Sequence, residues 1–273
     1  MSKSLIKNLG MAVAPNLMTQ LLSARSQRLI MRIERNSGCL HASQEFVAVY
    51  GRTVLRGPFA GMCYPKRSAR ERNLVHRLVG SYECELHSWI EEITQKRYPM
   101  IVDIGTADGF YAVGFAMRMP GARVIGFDTD PWARRATDAL ARENGVGNVN
   151  MKTMCTPAWM RDNVMPNSLI FSDCEGYEMA LFDPKSVPNL TGSDMLIELH
   201  ERASPGVEEA IRGRFAATHE IRIATYLDHD PAEFPELKTV APEMRAAVIS
   251  EGRGGPQNAL FLTCRSYSSS SKD

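Results

Sequence analysis

Apolar and polar positions alternate between two periods along this chain. Short apolar runs that close on an acid or a histidine recur at 100–104, 123–128, 168–173 and 194–200. Near-continuous apolar runs of this length read as strands covered on both faces. Runs at 146–151, 219–225 and 259–264 bring the set to seven. Between the first strands the spacing turns helical, over 111–119 and again over 132–144. Asp130 before Pro131 supplies an N-cap with proline at the first helical position, and Gly145 supplies a C-terminal glycine. Strands alternating with helices predict an α/β fold with a mainly parallel sheet. Ligands on such sheets bind beyond the carboxyl ends of the strands. Asp103, Asp128, Asp173, Glu198 and His200 all fall on that edge.

The pattern before residue 79 differs. Met18, Leu22, Leu29 and Ile33 share one helical face, in a stretch made basic by Lys3, Lys7, Arg25, Arg28, Arg32 and Arg35 against Glu34 alone. A helix packed on the main domain with solvated arginines is the preferred reading. Attachment to an anionic surface is the other. Short strands are expected around Gly51, Gly57 and Gly61, within 45–64. A second basic patch over 66–77 (Lys66, Arg67, Arg70, Arg72 and Arg77 against Glu71) reads as a solvated helix face or as a guide for an anionic substrate. The division expected is an extension over 1–78, helical and then stranded, a main domain over 79–265, and a serine-rich disordered tail over 266–273.

The 273 residues suffice for one large core, and the net charge of +1 offers no global electrostatic case for a nucleic-acid partner. Six cysteines, at 39, 63, 84, 155, 174 and 264, form no C-x-x-C pair. That scatter disfavours a structural zinc site and suits reduced thiols in the cytoplasm. No apolar run approaches the roughly 20 residues that span a bilayer, and the first residues show no secretory pattern. A small-molecule partner is therefore expected, and a homo-oligomer is compatible with the reading.

The chemistry centres on the turn after the first strand. Gly105 and Gly109 are spaced G-x-x-x-G, which matches neither the G-x-G-x-x-G dinucleotide fingerprint nor the P-loop. Asp103 stands two residues before the first glycine, where a carboxylate would repel a pyrophosphate. A ligand with an amino acid end, a sulfonium and a ribose fits better, which points to S-adenosylmethionine. The alternative is an ordinary strand-turn-helix whose glycines serve packing. About twenty residues on, Asp128 ends the second strand, where an acid holds ribose hydroxyls.

Three segments then carry a resemblance: Val102-Asp-Ile-Gly-Thr-Ala-Asp-Gly109, Asp173-Cys-Glu-Gly-Tyr-Glu178, and Glu198-Leu-His200, led in by Gly80-Ser-Tyr-Glu83. From about residue 80 to 264 the chain resembles the FkbM-like group of class I S-adenosylmethionine-dependent methyltransferases. The D-x-E-G-x-E run is the specific part, and Asp128 replaces the glutamate that many members carry. The resemblance implies a Rossmann-like seven-stranded sheet with the last strand antiparallel, and methyl transfer to an oxygen of a sugar or natural-product scaffold. It implies that Asp103 and the turn Gly105, Thr106, Ala107 and Gly109 hold the methionine end, with Asp108 assisting. Asp128 would hold the ribose, residues 153–156 would line the adenine, and Asp173 would border the cofactor.

An acceptor hydroxyl needs a base or a metal to become nucleophilic. In one arrangement His200 is the base and Glu198 or Glu175 orients it. In the other, Asp173, Glu175, Glu198 and His200 bind magnesium or another divalent cation, although an imidazole suits magnesium poorly. Glu178 reads as a solvent-facing or locally paired acid, and His219 as a strand-start residue. N-methylation, a non-catalytic S-adenosylmethionine-binding module and an NAD-dependent oxidoreductase stay open as alternatives.

Overall fold

The computed structural model describes residues 15–253, 255 and 257–265. The expectations that fall on Lys3, Lys7 and the 266–273 tail lie outside the described residues. Seven strands form one sheet: β1 (Met100–Ile104), β2 (Arg123–Phe127), β3 (Val149–Lys152), β4 (Leu169–Ser172), β5 (Asp194–Leu199), β6 (His219–Thr225) and β7 (Asn258–Cys264). Their order is β3-β2-β1-β4-β5-β7-β6. Pairs from β3 to β5 are parallel, and β7 runs antiparallel to both β5 and β6. This is the Rossmann-like, mainly parallel architecture with the last strand reversed. Every residue of β1, β4 and β5 is buried, in keeping with mainly apolar strands covered on both faces, with Asp103, Asp194 and Glu198 as buried acids within them. Strand order reverses at β1, so the crevice forms where β1 and β4 end side by side.

Four helices place the rest: α1 (Pro15–Asn36), α2 (Cys39–Tyr50), α3 (Phe110–Arg118) and α4 (Pro131–Glu143). Asp130 caps α4 by accepting the Trp132 N–H, with Pro131 at the first position. The stretch over 45–64 departs from expectation. Its first residues belong to α2, and the remainder contributes only an isolated bridge between Thr53 and Cys63. Ala42, Phe46 and Tyr50 recur every fourth residue and turn one α2 face inward, a helical period that outweighs the glycine-rich continuation.

The α1 helix also packs by a different face. Leu29 and Ile33 are each 57% exposed, and Arg25, Arg28, Arg32 and Arg35 are exposed with them. The covered side is polar. Ser23 and Gln27 donate to the Asp130 carboxylate, Arg72 donates to Gln27, and Glu34 accepts the Asn73 N–H at 3.1 Å. Two members of the second basic patch are likewise not solvated: Arg72 lies 4.8 Å over Trp132, and Arg77 pairs with Asp108 at 3.3 Å. No described helix is long and apolar enough to cross a membrane.

Phe59 anchors the segment between α2 and the sheet. Its ring meets Phe110 and Phe115 edge-on, with centroids 5.2 and 5.4 Å apart, and a Cβ at Gly114 would lie 2.5 Å from it. Phe59, Phe46 and Val54 share one apolar cluster with Phe115 of α3 and Phe171 of β4. Phe59→Ala is therefore expected to destabilise the whole chain by about 3–5 kcal/mol. Chemical denaturation should show one transition at lower denaturant; an unchanged midpoint would mean that Phe59 anchors nothing.

Candidate active site

The site is built where β1, β2 and β4 end together. The Gly105 N–H donates to the Phe127 carbonyl at 2.8 Å, and the Asp173 N–H donates to the Ile104 carbonyl at 2.8 Å. Gly105 has φ 92°, and a Cβ there would lie 1.7 Å from the Asp173 carbonyl oxygen. Only glycine allows this approach. Gly109 serves packing: at φ 94° it brings α3 onto α4, and a Cβ would lie 2.8 Å from the Thr137 Cα. Thr106 is buried beside Thr137, which donates to its hydroxyl at 3.4 Å. Asp108 faces away from the crevice, toward Arg77.

A cavity of about 340 Å³ opens beside the turn. Gly105, Ala107, Asp128, Asp173 and Tyr177 are among its walls, and of the expected adenine side Thr153, Met154 and Cys155 line it, whereas the Thr156 hydroxyl accepts the Trp159 N–H. The Asp128 carboxylate accepts the Ala107 N–H at 3.0 Å and the Asp130 N–H at 2.7 Å, so it is fixed at the rim. Beneath the turn Asp103 is fully buried; among the described residues no donor meets hydrogen-bond geometry at its oxygens, and the Ala112 N–H acts on it only as the smallest influence on its charge. Burial first, then the charges of Asp173 and Asp128, push its pKa well above the usual carboxylate range. A buried, unpaired acid of this kind gains most from a cationic donor.

A second cavity, of about 480 Å³, lies on the other side of Asp173. Both cavities are bordered by Asp173 and Glu175. His200 closes the second one. Its Nδ1 lies 2.6 Å from Glu178 Oε1, while its Nε2 lies 3.3 Å from Asp173 Oδ1 and 3.4 Å from Glu175 Oε2. Burial alone would lower the His200 pKa. Its hydrogen bonds and charge contacts with Asp173 and Glu178 outweigh that and raise it to about 10. The raised pKa favours the charged imidazolium, which makes His200 a weaker proton acceptor than a free imidazole.

Glu178 is fully buried and also accepts the Gly176 N–H at 3.1 Å, so the acid that orients His200 is Glu178 rather than Glu198 or Glu175. Glu198 points to Arg253, which also donates to Glu83 and Glu251 at 2.7 Å each and stacks 3.7 Å over the Tyr226 ring. Burial and the charge of Asp173 lift Glu198 to about 8, against the pull of Arg253. Burial lifts Glu83 to about 7 despite Arg253, and Tyr111 donates to it. Asp173, Glu175 and His200 therefore come together, and Glu198 stands apart from them. His219 is buried with its Nε2 2.9 Å from the Ser193 carbonyl, outside both cavities. Arg253 carries no sequence signal, since it sits in a glycine-rich stretch some fifty residues past β5.

No family model matches the chain, and no curated protein matches it. Solved structures do resemble it in chain path. An rRNA methylase from Streptococcus thermophilus is 12% identical at a TM-score of 0.46, over 66% of this chain and 96% of its own. A precorrin-6y C5,15-methyltransferase from Geobacter metallireducens is 10% identical at 0.43, over 74% and 92%. A Streptococcus mutans chain solved in complex with SAH is 10% identical at 0.41, over 63% and 93%. At these scores the fold rests on the sheet order described above.

The raised His200 pKa has a stability consequence. Its contribution is complete below about pH 6.5, the value of the unfolded chain, and is lost as pH rises toward about 10. Melting temperature across that window should fall less steeply in His200→Gln than in the wild type. Parallel slopes would show that the imidazole is not held charged.

Proposed function

We propose that this chain is an S-adenosylmethionine-dependent methyltransferase that methylates a hydroxyl of a sugar-containing or other small molecule. The observation that carries the reading is the pair of cavities meeting at Asp173. The residues on the turn side fit the methyl donor. Asp103 lies buried beneath the turn, next to the lining residue Ile104, as an acid for the donor's amino group, Gly105 leaves the backbone bare, and Asp128 is fixed for the ribose. When bound, S-adenosylmethionine supplies an electrophilic methyl group.

The chain's own part is to align the acceptor and take its proton. Asp173 stands at the shared wall. Its Oδ1 is buried and faces the His200 Nε2 at 3.3 Å. We assign Asp173 as the proton acceptor. His200, locked by Glu178, fixes its position, and Glu175 borders the acceptor. The D-x-E-G-x-E run places Asp173, Glu175 and Glu178 around one imidazole, which supports the FkbM-like resemblance. The acceptor cavity holds Glu83, Glu198, Glu201 and Glu251 besides Asp173. Arg202, Arg253 and His200 share this wall with the acids, so its charge is mixed, and it is the size of the cavity that favours a small acceptor. We place the protein in the cytoplasm, in keeping with its six free cysteines, and read residues 15–78 as a cap on the main domain.

A second reading keeps a divalent cation. Ligand atoms of Asp173, Glu175 and His200 lie within 4.8 Å of one another, and Glu178 supports the imidazole as an outer carboxylate does in metal sites. Chelation that abolishes turnover, with recovery on adding magnesium or manganese, would favour this reading over Asp173 alone.

Incubation with labelled S-adenosylmethionine and panels of hydroxylated and amino compounds tests the proposal by product mass. Methyl on oxygen is expected; methyl on nitrogen would overturn the hydroxyl assignment. Asp173→Asn should lower kcat by about 10²–10⁴ with donor affinity retained, and full turnover would remove Asp173 from the chemistry. Asp128→Ala should weaken donor binding by roughly 1.5–3 kcal/mol, about ten- to a hundredfold. Unaltered affinity would refute the ribose assignment.

A further inference from the structure

A second cluster of metal-ligating side chains lies outside both cavities' shared wall. Cys84 opens the turn Cys84–Leu86, just after Glu83, and His229 lies on the loop that follows β6. The Cys84 Sγ is 3.7 Å from His229 Nε2, and that nitrogen is 3.6 Å from Glu85 Oε1. All three residues offer ligand atoms within 4.8 Å of one another. Zinc bonds of about 2.3 Å to sulfur and 2.0–2.1 Å to nitrogen or oxygen give tetrahedral edges of roughly 3.4–3.6 Å. The observed separations are close to those edges.

Two further features suit a cation. Glu85 Oε2 is buried and has no hydrogen-bond partner among the described residues, while Oε1 is fixed by the Leu227 N–H at 2.7 Å. The surrounding charge is negative. Glu233 and Glu251, the latter paired with Arg253, add acidic groups near Cys84. The side chains of His229 and Glu85 are only 10% and 14% exposed, so the ligand atoms are largely withdrawn from solvent.

We propose that Cys84, Glu85 and His229 form a three-ligand site for a zinc-like divalent cation, with water in the fourth position. Coordination releases the thiol proton to solvent and needs no change of oxidation state. Its place in the fold suggests its role. The turn at Cys84 continues the wall made by Tyr82 and Glu83, and the loop at His229 continues from Tyr226, whose ring Arg253 covers. A bound ion would tie these two walls together beside the acceptor cavity. The site stands independently of the methyl-transfer reading, because none of its ligands belongs to the Asp173 cluster.

Titration of the full-length, chelator-stripped protein with cobalt(II) tests it. The wild type and His200→Ala should both develop a near-ultraviolet thiolate-to-cobalt charge-transfer band, whereas Cys84→Ser and His229→Gln should not. Competition against a chromophoric zinc chelator should show zinc affinity at least about a hundredfold weaker in Cys84→Ser, since losing even an outer-shell partner costs roughly 10–100-fold. Circular dichroism checks that both variants fold, and either one alone suffices if the other does not. No band in the folded wild type, or a band that survives Cys84→Ser, would overturn the site.

Discussion

The close approach of Gly105 to the Asp173 carbonyl is the contact on which the site depends. It holds the end of β1 against the end of β4 with no side chain between them. A larger residue would separate the two strand ends, and the cavities on either side would no longer share a wall. The neighbouring contacts follow from it. Because the turn lies flat on β4, the Ala107 N–H reaches Asp128, and the chain after Asp173 is free to bend toward His200. Donor and acceptor sides of the crevice are thus set by one backbone contact.

Charge is the second organising constraint. Asp103, Asp173, Glu178, Glu83 and Glu198 crowd one sheet edge with His200 and Arg253 as the chief cations near them. Glu178, bonded to His200, is held below the usual carboxylate range. Asp103 rises with no cation against it, and Glu198 and Glu83 rise in spite of Arg253, because burial outweighs its pull. The result is a graded edge. An unpaired acid under the turn can receive an ammonium group, the Asp173 carboxylate stands at the junction, and the His200 imidazole is fixed behind it. That grading fits alignment and proton acceptance better than proton abstraction by the histidine.

Much of this was legible in the sequence. The seven strands and their order of burial follow from apolar runs, and the acids that close those runs mark the ligand edge. The hidden parts have physical reasons. Three acids of the D-x-E-G-x-E run compete for His200. Glu175 and Gly176, with φ of 56° and 108°, swing the backbone so that Glu178 turns inward, while the Glu175 side chain stays 84% exposed. Spacing alone does not encode that turn. Arg253 is brought to Glu83 and Glu198 by tertiary folding over 170 and 55 residues, with no local pattern to announce it. The α1 helix packs with its arginines solvated, as its sequence suggests, but its covered face is polar: Ser23, Gln27 and Glu34 find Asp130, Arg72 and Asn73, and hydrogen bonding rather than apolar burial sets its rotation.

Isothermal titration of the folded protein with S-adenosylmethionine, S-adenosylhomocysteine and NAD tests the central claim most directly. The account predicts saturable one-to-one binding of both adenosyl ligands, lost or strongly weakened in Asp103→Asn, and no heat with NAD. Binding of NAD without either adenosyl ligand, or no binding of any of the three by a folded chain, would contradict it.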